Sequence, residues 1–420
     1  MPRPVSTIAL PAWIDPEDVF VHLFADAAHA FWLDAGPGSA TGFSWMGTGA
    51  PDPSSAPLTR DAASPSPVPT SGRFTGGWVG WIPYDEGPSG AQWLRVDTWL
   101  AFDHGSRRVW ASSVDGDDAA ADLAARAAAA PTAVAPPQAA ASGTALSRHT
   151  PEEYADLIAA CRSHIREGDA YQLCLTTRFT VPGGADPAAV FRRLRAAAPS
   201  HHGGYVRLGG TALASASPER FLDVRDGRVH THPIKGTRRR DPDPERDAAL
   251  AHDLRADEKE RAENVMIVDL MRNDLSRVCV PGSVTVDRLL EVETYPTVHQ
   301  LVSEISGRLR PGTTIGDLLT ATFPAGSMTG APKESAMSIL ARLEGAPRGV
   351  YAGAFGWIGD DGAADLAMVI RSVVTTPDAA HVGAGGGITW RSVAASEVAE
   401  VGIKARAPLA ALGAAVPPGW

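Results

Sequence analysis

The chain has 420 residues, of which 44% are hydrophobic and 20% are charged, and it carries a formal net charge of −10. This length predicts one large or two medium-sized domains, and the acidic balance argues against a nucleic-acid-binding protein, because such proteins neutralise phosphates with lysine and arginine. No segment approaches the ~20 apolar residues of a membrane span, and the N-terminus leads into no apolar stretch with a cleavage site. A soluble, cytoplasmic protein is therefore expected.

The first part of the chain is predicted to be rich in β-strands. Short apolar runs, and a Gly- and Trp-rich run typical of close backbone approach within a sheet, predict strands at 30–33, 43–46, 74–82, 93–102 and 108–114. Residues 47–73 lack a periodic apolar pattern and are expected to be loop-like or disordered. The same holds for the Ala- and Pro-rich residues 114–149, which mark a boundary, except for a short helix predicted over 118–130.

The second part of the chain mixes helices with strands. Thr150, Pro151 and Glu153 have the pattern of a helix N-terminus, and this helix is expected to end at Gly168. Further strands are predicted at 171–179, 205–208 and 212–214, and further helices at 244–276, 332–343 and 395–405. Because hairpin-like strand pairs dominate, the pattern predicts the α+β class with mainly antiparallel sheets rather than a doubly wound parallel sheet.

Two segments carry residues suited to acid–base and nucleophilic chemistry. Glu219 lies in SASPERF, between two predicted strands, where a carboxylate can be held within reach of a substrate proton. Lys235 lies in THPIKGTR, between an apolar residue and a glycine, where desolvation would lower the pKa of the amine and make it a nucleophile. Taken alone, each segment also fits an exposed turn, which is the commoner case.

Carboxylates on two predicted helices are of the kind that binds magnesium. Glu263 lies where its helix changes from charged to apolar, and Mg²⁺ needs only a few carboxylate oxygens because it retains several waters. Glu397, Glu400 and Lys404 are spaced i, i+3 and i+7 and so share one helix face, just after a run of glycines at 385–387 that permits close approach of a ligand. Taken alone, the first pattern also fits an ordinary ion pair on one helix, and the second also fits a solvated helix face.

The segment FPAGSMTGAPK, at 323–333, places two glycines and two hydroxyl residues before a predicted helix. Backbone N–H groups at a helix start favour anions such as a substrate carboxylate. The spacing is not that of a phosphate-binding P-loop, so a nucleotide site is not indicated. Each of these segments is a weak signal by itself, and their joint occurrence in this order carries the functional interpretation.

Together these segments resemble the chorismate-utilising enzymes, which include anthranilate synthase component I, aminodeoxychorismate synthase component I, and the isochorismate and salicylate synthases. The resemblance covers nearly all of residues 148–410 and is carried by SASPERF, PIKGT, RAENVMIVDLMRNDLSRV, HQLVSEISGRL, FPAGSMTGAPK, RGVYAGAFGWIG, VIRSVV and GAGGGIT; FWLDAG, FSWMG and FTGGWVGWIPYD match more loosely. It implies the chorismate-binding fold, with large antiparallel sheets packed as a sandwich and helices outside. It also implies a β-rich domain at 1–115, of the type found in anthranilate synthase component I, a linker at 116–147 and a catalytic domain at 148–415.

The resemblance assigns roles by position. It implies a Mg²⁺ cofactor that is held by Glu263 and Glu400 and binds the ring carboxylate of chorismate, with Glu219 as a general acid/base. The residues expected to contact the substrate, through its carboxylates or in the ring pocket, are Thr237, His299, Thr329, Tyr351, Arg371, Gly385, Gly386, Gly387 and Lys404.

One side chain separates the subfamilies. The sequence resembles aminodeoxychorismate synthases in having a lysine, Lys235, in PIKGT, where anthranilate synthases usually have alanine. The mechanism implied is covalent: the lysine amine attacks C2 of chorismate while Glu219 protonates the departing C4 hydroxyl, and ammonia then adds at C4 and expels the lysine. The product, 4-amino-4-deoxychorismate, is a precursor of p-aminobenzoate, for folate or a specialised pathway.

The ammonia for this reaction is expected from a separate glutamine amidotransferase subunit. The three cysteines, Cys161, Cys174 and Cys279, include none in a Gly-rich turn that would mark an amidotransferase nucleophile, and they are expected to be buried, reduced thiols. Two alternatives stay open. One is anthranilate synthase component I, which gives anthranilate and pyruvate; the other is a non-catalytic chain of the same fold that only activates an amidotransferase.

Overall fold

The structure, a computed structural model, describes residues 4–64, 71–136, 138–139, 141, 143–295 and 298–420. Its helices are α1 (Pro16–Leu23), α2 (Asp117–Ala128), α3 (Pro151–Glu167), α4 (Pro187–Ala197), α5 (Pro244–Ala256), α6 (Glu258–Ser276), α7 (Ile315–Thr322), α8 (Gly326–Thr329), α9 (Lys333–Glu344) and α10 (Ala394–Ala411).

The strands are β1 (Ser6–Ala9), β2 (His29–Asp34), β3 (Phe43–Thr48), β4 (Ala50–Asp52), β5 (Gly77–Ile82), β6 (Gln92–Val96), β7 (Thr98–Asp103), β8 (Arg108–Ser113), β9 (Gly143–Thr144), β10 (Leu146–Ser147), β11 (Gln172–Pro182), β12 (His202–Leu208), β13 (Thr211–Ser217), β14 (Arg220–Arg225), β15 (Arg228–Thr231), β16 (Ile234–Arg239), β17 (Thr285–Thr294), β18 (Val298–Arg308), β19 (Gly330–Ala331), β20 (Ala354–Gly359), β21 (Ala364–Met368), β22 (Ser372–Thr375), β23 (Ala379–Ile388) and β24 (Ala414–Ala415).

Two large antiparallel sheets organise the chain. In the first, the strand order is β1-β8-β7-β3-β2-β12-β13-β22-β23-β11-β10, with β19 also paired to β11. In the second, the order is β16-β18-β15-β14-β21-β20-β5-β6-β4, with β17 also paired to β18. Each sheet therefore combines strands from both sides of the Ala- and Pro-rich segment.

The sheets pack face to face. One core cluster joins Phe31 and Val206 of the first sheet to Val79 and Phe355 of the second. A second cluster lies between the outer face of the first sheet and helices that include α3 and α10. A third lies between the second sheet and helices that include α6 and α7. The predicted α+β class and sandwich, with helices outside, are thus confirmed.

Local signals set several helix ends as predicted. Thr150 and Glu153 form both bonds of a capping box at the start of α3, and Gly168, in the left-handed region at φ 87°, ends that helix. The helix predicted over 244–276 is instead two helices. Asp257 interrupts it because its side chain accepts hydrogen bonds from the backbone N–H groups of Lys259 and Glu260, at 3.0 and 3.1 Å. The second of these helices, α6, carries Glu263.

The segment predicted to be a loop at 47–73 is partly ordered. It contains β4, which is the last strand in the order of its sheet. Proline lacks a backbone N–H and is tolerated in such an edge strand, which accounts for Pro51. The predicted helix at 118–130 is present as α2, and residues 65–70, 137, 140 and 142 of the two loop-like segments lie outside the described residues. The three cysteines are buried and free, as predicted. In the described part of the chain, none of the helices combines the length and the apolar character that crossing a membrane requires.

Candidate active site

Lys235 lies on β16, in the sheet that packs against α6. A bulge follows it, with Gly236 at φ 78°, where an added Cβ would lie only 2.7 Å from Leu254. The Lys235 side chain is 14% exposed, and its Nζ lies 3.7 Å from Oε2 of Glu263 on α6. The bulge thus aims an almost buried ammonium group at a buried carboxylate.

The pKa of Lys235 differs from what its sequence context predicts. Burial acts to lower the pKa, as expected, but the neighbouring negative charges, led by that of Glu263, outweigh burial and raise it above the ordinary value. The predicted lowering of the Lys235 pKa is therefore wrong. The carboxylates that raise this pKa come from other elements, so the sequence around Lys235 does not show them.

Carboxylates from α6 and α10 converge on the same region. Lys259 of α6 bridges the two helices, since its Nζ lies 3.8 Å from Glu263 Oε1 and 3.3 Å from Glu397 Oε1. One turn along α10, Glu400 Oε1 lies 2.7 Å from the Nζ of Lys404. The result is an alternating array of carboxylates and ammonium groups, in which Glu263 and Glu397 are buried and Glu400 is partly exposed.

The glycines of β23 make room for this array. Lys404 Nζ donates to the backbone carbonyl of Gly385 at 2.7 Å. A Cβ added at Gly386 would lie 3.3 Å from Glu397 Oε2, and one added at Gly387 would lie 3.4 Å from Lys235 Nζ. The three predicted glycines therefore lie beside both the charged array and the candidate nucleophile.

Gln172, the first residue of β11, is a further residue of the candidate site that no motif in the sequence indicated. Its side chain is fully buried, and neither its Nε2 nor its Oε1 has a hydrogen-bond partner among the described residues. The same Cβ added at Gly387 would lie 2.2 Å from Gln172 Nε2, so the amide is next to Lys235. Buried polar atoms without partners are rare and call for a reason, and a substrate polar group would satisfy them. The register of β11 with β23, which brings Gln172 here, has no local signal in the sequence.

Glu219 lies between β13 and β14, and its backbone is fixed because its carbonyl accepts a hydrogen bond from the Met368 amide at 3.0 Å. Burial raises the pKa of the Glu219 carboxyl to about 7, against the lowering influence of the Ser327 hydroxyl and of the charges of Lys235 and Lys404. A carboxyl group with a pKa near neutrality, close to an ammonium group, is suited to proton transfer.

Tyr351, which packs on the glycine strand, and Arg371 are two further residues of the predicted site. Arg371 has φ 52°, a conformation that non-glycine residues rarely adopt and that is frequent at functional sites. Burial lowers the pKa of its guanidinium, and the phenol of Tyr351 and the carboxylate of Glu400 act in the opposite direction. The Tyr351 ring packs on Gly383, where an added Cβ would lie 2.1 Å from the ring. The roles of Arg371 and Tyr351 in binding a substrate carboxylate stay predictions.

The remaining predicted residues have other contacts in the described part of the chain. His299 is bonded through Nε2 to Asp247, at 2.8 Å, and through Nδ1 to Thr294, at 2.9 Å. Thr329 is buried and donates to backbone carbonyls of its own turn, and Thr237 is exposed on β16. No described contact joins these three to Lys235 or Glu263, so their roles in substrate binding stay predictions.

The sequence pattern of the chorismate binding enzymes matches residues 51–410. The chain belongs to this family. Aminodeoxychorismate synthase of Streptomyces pristinaespiralis is 38% identical to it over 95% of this chain and 64% of that protein. Anthranilate synthase component 1 of Streptomyces coelicolor is also 38% identical, over 95% of this chain and 86% of that protein. The chain thus spans slightly less than two thirds of the first relative's length.

A solved structure shares the whole architecture. Anthranilate synthase component I of Streptococcus pneumoniae superposes with a TM-score of 0.73 at 28% identity, over 96% of this chain and 92% of that chain. The resemblance seen in the sequence motifs is confirmed at the level of the family and the fold. Two relatives at equal identity carry different names, so overall identity does not decide between aminodeoxychorismate synthase and anthranilate synthase. That choice depends on residues of the site.

The donor atoms of the site fit a magnesium ion. Glu263 Oε1 is buried and has no hydrogen-bond partner within the part of the chain that the structure describes, although the Lys259 ammonium lies 3.8 Å away. Glu397 and Glu400, which both lie beside Gly386, also offer carboxylate oxygens, which Mg²⁺ prefers. In the described residues, the sets of three or more His, Cys, Asp or Glu side chains whose ligand atoms all lie within 4.8 Å of one another are elsewhere, around His164 and around His230.

Proposed function

We propose that the chain aminates chorismate at C4, giving 4-amino-4-deoxychorismate. The observation that carries this proposal is the placement of the Lys235 amine beside Gly387, the unpartnered amide of Gln172 and the carboxylate of Glu263. The name of the Streptomyces pristinaespiralis relative supports it. A lysine at this place supplies a nucleophile that splits one difficult displacement into two easier ones.

In the proposed reaction, the neutral amine of Lys235 forms a bond to C2 of chorismate, both ring double bonds shift by one position, and the C4–O bond breaks. Glu219, in its protonated form, gives its proton to the departing hydroxyl, which leaves as water. Ammonia then forms a bond to C4, both double bonds return to their original positions, and the bond to Lys235 breaks. The ammonia nitrogen loses a proton, which restores protonated Glu219. Ammonia and chorismate give aminodeoxychorismate and water, with no change in oxidation state.

Two sets of groups would hold the substrate beside Lys235 and Glu219. Arg371, Tyr351 and Lys404 are the groups proposed for the carboxylates of chorismate, and Glu263 and Glu400 are those proposed for Mg²⁺. When bound, Mg²⁺ would neutralise the two carboxylates and hold the ring carboxylate of the substrate. Neutralised carboxylates stabilise the Lys235 ammonium less, which favours the reactive neutral amine.

The source of ammonia and the cellular role belong to the same proposal. A glutamine amidotransferase subunit is the proposed donor, with free ammonia as a substitute. A cytoplasmic location and a product used for folate or for a specialised metabolite are proposed with it. The division into a β-rich domain at 1–115, a linker at 116–147 and a catalytic domain at 148–415 is proposed as a division of function only. Strands of all three parts meet in shared sheets, so the parts are not separate structural units.

Anthranilate synthase component I is the second candidate, favoured by the equal identity of the Streptomyces coelicolor relative. It would use the same magnesium site but release pyruvate and give anthranilate. Lys235 speaks against it, because direct attack of ammonia at C2 needs no lysine there. A non-catalytic partner of an amidotransferase is disfavoured too, because an inert chain has no need of a buried acid, lysine and carboxylate array.

Product analysis tests the proposal. The pure protein is incubated with chorismate, Mg²⁺ and ammonium at mildly alkaline pH, and the products are identified by mass spectrometry. Aminodeoxychorismate, converted to p-aminobenzoate when a lyase is added, is the expected result. Anthranilate with pyruvate would move the chain to the second candidate, and no turnover even with an amidotransferase present would favour the inert partner.

The pH dependence of amination follows from the order of two pKa values. The productive pair has a protonated Glu219 and a neutral Lys235, so it holds one proton in total. Since the pKa of Glu219 is about 7 and that of Lys235 lies above its ordinary value, the one-proton state dominates between them. We therefore expect kcat/KM for chorismate to rise with pH through about 7 and then to stay level until Lys235 loses its proton.

The measurement is made at a fixed concentration of free ammonia, since ammonium also titrates at alkaline pH. Ser327→Ala is the matched variant. Loss of its hydroxyl removes an influence that lowers the pKa of Glu219, so the rise should move to higher pH. A fall in kcat/KM through neutrality in the wild type would show that the order of the two pKa values is reversed.

A further inference from the structure

A buried arginine lies beneath the candidate site. Arg348, in the loop after α9, donates from Nη1 to the carbonyl of Met328 at 2.7 Å and from Nη2 to the carbonyl of Cys174 at 2.8 Å. It also donates to both oxygens of Glu344, from Nε at 2.8 Å and from Nη2 at 2.7 Å. Its guanidinium is therefore bonded on three sides in the protein interior.

Glu344, at the end of α9, completes the link. Its Oε1 accepts hydrogen bonds from the backbone N–H and from the hydroxyl of Thr176, both at 2.9 Å. The side chains of Arg348 and Glu344 are only 2% and 3% exposed. Buried pairs of this kind often contribute little net stability compared with apolar residues of the same volume, so stability alone is a weak reason for the pair.

The two segments that this pair joins each carry part of the candidate site. Met328 follows Ser327 on α8, and the Ser327 hydroxyl lies close enough to Glu219 to lower the pKa of its carboxyl. Cys174 lies on β11 opposite Gly387, two residues after Gln172. The forked guanidinium spans the gap between α8 and β11, and so between the proposed acid and the glycine strand beside Lys235.

We infer that Arg348 and Glu344 are positioning residues, which hold α8 and β11 at the spacing that keeps Ser327 on Glu219 and Gln172 beside Lys235. Among the described contacts, neither residue touches Lys235, Glu219 or Glu263. The pair acts through the two carbonyls and through Thr176. This inference rests on the proposed function, because it is that function which gives Glu219 and Lys235 their roles.

Arg348→Lys tests this inference, because lysine keeps the charge but cannot reach both carbonyls and the carboxylate in one plane. Since a misplacement of about 1 Å can cost about 100-fold in rate, we expect kcat to fall by about that factor, with a much smaller change in KM for chorismate. We also expect the rise of kcat/KM near neutral pH to move to higher pH, since Ser327 no longer holds Glu219.

Arg195→Lys is the matched control. Arg195 is also buried, with its side chain 8% exposed, its Nε donates to Asp34 at 2.7 Å, and its guanidinium lies 4.6 Å above the Trp32 ring. Thermal unfolding should show a comparable loss of stability in both variants. Only Arg348→Lys should change kcat and the position of the pH inflection.

Equal effects of the two variants on kcat, or an unmoved inflection in Arg348→Lys, would overturn the inference. If Arg348→Lys does not fold, Thr176→Ala, which removes a single bond to Glu344, must still lower kcat and shift the inflection in the same direction. Consumption of chorismate and the identity of the product are followed in every case. A failure of the proposed function appears as a different product, whereas a failure of this inference leaves Arg348→Lys indistinguishable from the control in kcat and in its pH inflection.

Discussion

Replacing Lys235 by alanine is expected to lower the rate of aminodeoxychorismate formation by about 10³-fold or more, with little change in the affinity for chorismate. The variant loses the nucleophile, whereas the proposed carboxylate-binding groups, Arg371, Tyr351 and Lys404, stay in place. Glu263 keeps a cationic neighbour, because Lys259 Nζ lies 3.8 Å from its Oε1. Single-turnover assays with mass spectrometric detection separate the loss of chemistry from any loss of binding.

Lys235→Arg is the matched control for the charge of this side chain. Arginine preserves a cation for Glu263 but is not a nucleophile, since its guanidinium stays protonated. If the amine acts by covalent attack, both variants lose aminodeoxychorismate formation alike. If the arginine variant kept most of the activity, Lys235 would act through its charge alone, and the covalent mechanism would have to be abandoned. Trapping of a chorismate-derived adduct on Lys235 in the wild type provides a direct check.

Local signals in the sequence were sufficient for many elements, since they depend on neighbours along the chain. The capping box of Thr150 and Glu153 and the left-handed Gly168 fix α3 without tertiary context. The break at Asp257 was missed because apolar and charged residues continue across it in a helical pattern. Only the cap bonds to Lys259 and Glu260 show that the chain starts a new helix there.

The candidate site was only partly predictable, because its parts meet through long-range pairing. Lys235, Glu263 and Glu400 were named from motifs, but the sign of the Lys235 pKa shift depends on carboxylates that three separate elements bring together. Gln172 and the pair of Arg348 and Glu344 depend on the register of β11 against β23 and on contacts across more than 160 residues. No local pattern encodes such proximity, so these residues became visible only in the fold.

Replacing Glu263 by glutamine is expected to weaken chorismate binding and turnover together, in contrast to the Lys235 variants. Glutamine keeps the shape of the side chain but removes the charge that, in the proposed site, binds Mg²⁺ jointly with Glu400. Loss of outer-shell partners alone costs about 10- to 100-fold in metal affinity, so we expect loss of a direct ligand to raise the Mg²⁺ concentration for half-maximal activity by at least about 100-fold. Calorimetric titration of chorismate with and without Mg²⁺ measures the effect on binding.

Glu258→Gln provides the comparison on the same helix, since Glu258 is exposed in the first turn of α6 and five residues from Glu263 along the chain. It should leave both the Mg²⁺ requirement and the chorismate affinity unchanged. Removal of Mg²⁺ by a chelator should weaken chorismate binding in the wild type and in Glu258→Gln, and should have little further effect on Glu263→Gln. An unchanged Mg²⁺ requirement in Glu263→Gln would place the metal elsewhere. The buried Oε1 of Glu263, which lacks a hydrogen-bond partner, would then have to be explained by its ion pairs with Lys235 and Lys259 alone.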